Sequence, residues 1–114
     1  MYINSKATSI DVSSLKSSNV VSMSNMFEGA AATTITGLDK LDTSNVTNMS
    51  LTFNATKVSI LDLSSFDTSK VTNMNYNFGN TSATIGYARN SSEVSKFNAL
   101  STSNKPSTLT FKLK

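Results

Sequence analysis

Leu61-Asp-Leu63-Ser-Ser-Phe66-Asp-Thr-Ser-Lys-Val71-Thr-Asn-Met74-Asn-Tyr-Asn-Phe78 is one copy of a unit that recurs along the chain. Leu38-Asp-Lys-Leu41-Asp-Thr-Ser-Asn-Val46-Thr-Asn-Met49-Ser-Leu-Thr-Phe53 precedes it, and Val12-Ser-Ser-Leu15-Lys-Ser-Ser-Asn-Val20-Val-Ser-Met23-Ser-Asn-Met-Phe27 comes earlier still. Val20, Val46 and Val71 lie 26 and 25 residues apart. The same two steps separate Met23, Met49 and Met74, and also Phe27, Phe53 and Phe78. A fixed period of this length marks stacked repeats, because one copy cannot bury its apolar face alone. A worn fourth copy runs from Ser91 to Phe97, with Ser101 where the closing Phe belongs. That wear suits a terminal repeat whose outer face meets water.

Each copy divides into two parts. Val, Met and Phe recur at i, i+3 and i+7, which predicts a short helix with those three side chains in the core. The polar runs Asp42-Thr43-Ser44 and Asp67-Thr68-Ser69 precede these helices and are expected to be their N-caps. Lys16 stands at the equivalent place in the first copy. Helices of about eight residues do not persist alone and need neighbours. Ahead of them, Ser9–Val12, Thr36–Leu38 and Ile60–Leu63 read as short strands with one apolar face. A strand followed by a helix in every copy predicts parallel strands and right-handed crossovers. Asp11, Gly37 and Asp62 are expected in one row, so no continuous acidic ladder forms. The tail alternates, placing Leu109, Phe111 and Leu113 inward and Lys112 and Lys114 on the guarded outer face of an edge strand.

The expected fold class is therefore an α/β repeat solenoid: a leucine-rich-repeat-like right-handed coil, with one short parallel strand and one short helix per turn. The whole chain, 1–114, forms one domain. Residues 1–9 cap it, 10–34, 35–59 and 60–82 are repeats, 83–104 is a degenerate repeat and 105–114 a capping strand.

Composition narrows the function. The chain has 21 Ser, 15 Thr and 13 Asn but no Cys or His. Cysteine nucleophiles, Cys/His zinc sites and the commonest general base are thereby excluded. Asp42 and Asp67 sit one copy apart and form a carboxylate pair that could serve a hydrolase, but two helix caps repeating with the coil explain them more simply. No Asp-x-Asp-x-Asp loop suggests calcium. The basic residues are scattered, with Arg89 the single arginine, so a nucleic-acid footprint is not expected. No apolar run is long enough for a membrane helix, and the first residues do not read as a signal peptide. Tyr76 and Tyr87 are candidate contacts, since Tyr is enriched at interfaces.

The phrases Asp67-Thr-Ser-Lys-Val71-Thr-Asn-Met74 and Asp42-Thr-Ser-Asn-Val46-Thr-Asn-Met49 resemble the repeat of the BspA-like leucine-rich-repeat surface proteins, a repeat also found in mycoplasma lipoproteins. The resemblance implies a bacterial protein exposed on the cell surface or outside the cell. It further implies adhesion-like binding to a protein or glycan partner on a host or cell surface. No catalytic, cofactor or metal residue carries over. The alternative is a structural spacer or self-associating fragment, pairing through the exposed ends of the coil.

Overall fold

A computed structural model describes residues 2–114; Met1, the first residue of the expected N-terminal cap, lies outside the described residues. Five short strands form: β1 (Ser9–Asp11), β2 (Thr34–Thr36), β3 (Ile60–Leu63), β4 (Ile85–Ala88) and β5 (Thr110–Leu113). One α-helix, α1 (Ser91–Asn98), lies between β4 and β5. All pairings are parallel. β1 pairs with β2, Ile10 facing Ile35, and β3, β4 and β5 form a second sheet in which Leu61, Gly86 and Phe111 are aligned. The second strand spans Thr34–Thr36 rather than 36–38, so Thr36, not Gly37, faces Asp11.

The helices expected over Val20–Phe27, Val46–Phe53 and Val71–Phe78 do not form; these segments are runs of tight turns. The reason lies in where their N–H groups go. Met23, Asn25, Phe27 and Gly29 donate to the carbonyls of Asn48, Ser50, Thr52 and Asn54 in the next copy, at 2.9–3.0 Å. Met49, Leu51, Phe53 and Ala55 donate likewise to Asn73, Asn75, Asn77 and Gly79, at 2.8–3.0 Å. Alternate N–H groups close turns within their own copy, as Met26 does to Met23 and Glu28 to Asn25. A helix keeps all its N–H groups in its own chain segment, whereas here half of them tie one copy to the next. Left-handed residues make this path: Asn25, Leu51 and Tyr76 at one site, and Gly29, Ala55 and Asn80 four residues later.

Only the fourth copy is helical. No residue of α1 has positive φ, and Asn90 caps it by accepting the Glu93 N–H at 3.0 Å.

The core follows the period. Phe27, Phe53 and Phe78 are fully buried and stack with nearly parallel planes, their centroids 5.5 and 5.9 Å apart. Tyr2 extends the stack above Phe27 at 5.6 Å, and Phe97 and Phe111 close it below Phe78 at 5.7 and 5.0 Å. Met23, Val46, Met49 and Met74 are buried beside this spine, whereas Val20 and Val71 are half-buried at its margin. Leu109 and Phe111 point inward, but Leu113 is 56% exposed instead of buried.

Short polar side chains tie the copies together. Ser17 accepts the Asp42 N–H at 2.7 Å, and Thr43 accepts the Asp67 N–H at 2.9 Å. Thr52 donates to the Met23 carbonyl at 2.9 Å. This accounts for the abundance of Ser, Thr and Asn: a backbone buried between copies must have its polar groups paired. Asn77 departs from the pattern. It is fully buried in the place Thr52 takes one copy earlier, yet neither end of its amide is hydrogen-bonded.

The left-handed site of the second copy carries Ala55, φ 57°, where the first has Gly29. Left-handed backbone costs a residue with a β-carbon about 1–2 kcal/mol, and glycine's extra chain entropy returns about 0.5–1 kcal/mol of that. Ala55→Gly is therefore expected to raise stability by about 0.5–1 kcal/mol, and Asn80→Ala to lower it, both read as shifts in the urea unfolding midpoint.

Candidate binding surface

One residue decides where the sheet is interrupted. Inward residues of successive copies are Ile10, Ile35 and Leu61, followed by Val12, Leu38 and Leu63. A single residue separates Ile10 from Val12 and Leu61 from Leu63, but two, Thr36 and Gly37, separate Ile35 from Leu38. Gly37 absorbs the extra residue with φ 90° and lies so close to the first copy that a β-carbon would meet the Ser13 backbone nitrogen at 2.5 Å. A 3-10 turn, Leu38–Lys40, follows directly. A one-residue offset reverses the facing of a strand. β2 therefore keeps register with β1 and loses it with β3, and the sheet is divided there.

The division opens a cleft of about 430 Å³. Its walls include Thr33 and Ile35 on one side and Ile60 and Asp62 on the other, with Asp39 and Lys114 at the rim. Ile60 is 48% exposed.

Beside the cleft lies the outward face of the second sheet. Leu61, Leu63, Gly86, Ala88 and Phe111 are buried, so the alternating residues face outward. Asp62, Tyr87 and Lys112 form one row across β3, β4 and β5. The Lys112 ammonium stands 5.9 Å over the Tyr87 ring, and Lys114 Nζ donates to Asp62 Oδ2 at 2.6 Å. Burial opposes ionisation of Asp62, but hydrogen bonds from Lys114 and Ser64 outweigh it and hold the carboxyl below its usual range. The Asp62 carboxylate in turn raises the Lys114 ammonium.

The residues expected as helix caps have other work. Asp42 and Asp67 accept the Ser44 and Ser69 N–H groups at 3.0 and 2.9 Å, forming local turns without a helix. Thr43 and Thr68 are buried between copies. The Thr68 N–H donates to Glu93 Oε1 at 2.8 Å and its hydroxyl donates to the same oxygen. Glu93 thereby fastens α1 to the preceding copy, with Arg89 Nε 3.3 Å from its other oxygen. Arg89 also lies 3.5 Å from Asp67. The Ser44 hydroxyl and N–H lower the Asp42 carboxyl, Ser69 does the same for Asp67, and Ser13 for Asp11. Groups held ionised in this way are poor proton donors near neutrality.

Of the two tyrosines, Tyr87 lies half-buried in the outward row and Tyr76 is 52% exposed on a left-handed turn away from it. The structure does not bring them together. The cleft went unread in the sequence, although the change of step from 26 to 25 was its signal. A second, apolar groove of about 230 Å³ opens among Leu15, Val20, Met23, Met26 and Leu41. Among the described residues no cluster of three or more acidic ligands could hold a metal ion, and no helix is long and apolar enough to cross a membrane.

Carboxyls lowered by folding stabilise the native state above their unfolded value, about 3.9. That contribution is lost as pH falls through the lower folded values. Stability is expected to be level from about pH 7 to 5 and to drop below about pH 4. Asp42→Asn with Asp67→Asn should flatten that acid limb in urea titrations. The raised Lys114 adds a contribution present below about pH 10.4 and lost above it.

No curated protein and no solved structure matches the chain. A family model with the description "Mycoplasma protein of unknown function, DUF285" matches residues 1–107. With nearly the whole repeat array inside that match, the chain belongs to this family.

Proposed function

We propose that the chain is a non-catalytic, surface-exposed repeat module of the BspA-like, leucine-rich kind. Its copies wind as a right-handed solenoid, and its sheet face binds a protein or glycan partner on a host or cell surface. The observation carrying this reading is the outward row Asp62–Tyr87–Lys112 beside the open cleft. An aromatic ring flanked by a cation and an anion on a three-stranded sheet suits contact with a partner. The aspartates whose carboxyls folding shifts are all moved downward, which makes them poor proton donors near neutrality.

The test is adhesion of the fluorescently labelled chain to cultured host epithelial cells. Tyr87→Thr with Lys112→Thr is expected to reduce bound protein at least about tenfold, in the range of a contact anchor, with the thermal unfolding midpoint retained. Equal adhesion by the natural chain and this variant would remove the sheet face from the reading.

The apolar groove favours a second reading, self-association through the first copy. Val21 nearby is 54% exposed, and the β1 edge carries no strand beyond it. The tail edge is closed, because the Asn98 amide both donates to the Phe111 carbonyl and accepts its N–H, each at 2.9 Å. Pairing would then concern the first copy alone. Sedimentation at rising concentration should show a dimer that Val21→Lys abolishes; a monomer throughout excludes it.

A further inference from the structure

Resting on the reading of the chain as a binding module, we infer that the β2/β3 cleft is a strand-insertion site that takes an extended peptide segment of the partner. The walls are two strand edges that never meet. Thr36 turns its carbonyl to β1, accepting from Val12 at 2.9 Å. Backbone groups of neighbouring residues point to opposite sides of a strand, so those of Ile35 point into the cleft. Across from it, Ser59 turns its carbonyl to β4, accepting from Thr84 at 3.2 Å. The same alternation aims the backbone groups of Ile60 and Asp62 into the cleft. An inserted strand meets donors and acceptors on both flanks, the basis of peptide recognition by strand addition.

Three further observations fit this occupant. The volume, about 430 Å³, is in the usual range for ligand sites. Exposed strand edges are normally blocked, and this protein blocks its β5 edge with Asn98 while leaving these two inner edges open. At the rim, Lys40 stands 3.9 Å from Asp39, and Lys114 holds Asp62 through a single hydrogen bond. A Lys or Arg of the incoming segment can take its place, so the favoured segment is extended, apolar in alternation and basic at one end.

The probe is a six-residue peptide of alternating Thr and Val with one Lys and blocked ends. It is compared with the same peptide N-methylated on alternate amides, which removes its strand-pairing donors. In 15N–1H spectra of the full chain, the first peptide should shift the Ile35, Ile60 and Asp62 amides to saturation, and the methylated one should bind at least about tenfold more weakly. Deleting Gly37 restores the 25-residue step. It should join β2 to β3, slow hydrogen exchange at Ile35 and Ile60, and abolish peptide binding while leaving cell adhesion through Tyr87 and Lys112. Equal binding of the two peptides overturns the inference, as does unmoved cleft amides or binding that survives once those amides are protected. So does an N-acetylglucosamine trisaccharide that shifts the same amides when the peptide does not. If the deletion variant fails to fold, the comparison of the two peptides on the natural chain decides the matter. On the natural chain, adhesion without peptide binding removes the cleft alone; absence of both removes the binding module as well.

Discussion

Hydrogen bonds from the N–H groups of one copy to the carbonyls of the next hold this protein together, with the phenyl rings stacked behind them. The two depend on each other. Phe27, Phe53 and Phe78 can superpose at 5.5–5.9 Å only because the backbones carrying them are joined rung by rung. The rungs are strong only because the rings and methionines exclude water from one side. Parallel stacks of aromatic rings add about 0.5–1.5 kcal/mol per pair beyond their burial. In a chain this small, with a modest core, a series of such pairs is a large part of a marginal stability.

This arrangement has a backbone cost that the protein keeps. Leu51 and Tyr76 hold left-handed conformations at 58° and 56°, which bulky side chains rarely adopt. Their N–H groups are committed, Leu51 to the Asn75 carbonyl and Tyr76 to the Asn104 side chain. Relaxing either residue would break the tie to the next segment, so the stack over-determines the strain. The unpaired amide of Asn77 is a second local cost of the same kind, about 1–3 kcal/mol for a buried group without a partner.

The two ends and the middle of the stack differ in how they treat open edges. α1 and β5 close the lower end, through Glu93 on Thr68 and Asn98 on Phe111. The upper end keeps an apolar groove between Leu15 and Met26. In the middle, the extra residue at Gly37 separates what would otherwise be one continuous parallel sheet. The outward row and the cleft are adjacent for this reason: Asp62 belongs to both.

Periodicity in the sequence marks the repeat copies, the inward Phe and Met series and the approximate places of the strands at residues 9–12 and 60–63. Those features follow from side-chain hydrophobicity recurring at a fixed step, which is local information. The same pattern was a poor guide to backbone conformation. Positions i, i+3 and i+7 face one way on a helix, and also on a run of turns whose left-handed residues, such as Leu51 and Ala55, carry no glycine signature. Only tertiary structure decided between them, because the deciding hydrogen bonds join residues about 25 apart. The sheet division is intermediate: its cause, one extra residue before Leu38, is written in the sequence, but its effect needs β1 and β3 placed on either side of β2. The outward row joining Asp62, Tyr87 and Lys112 exists only once three strands are in register, since nothing local relates residues so far apart.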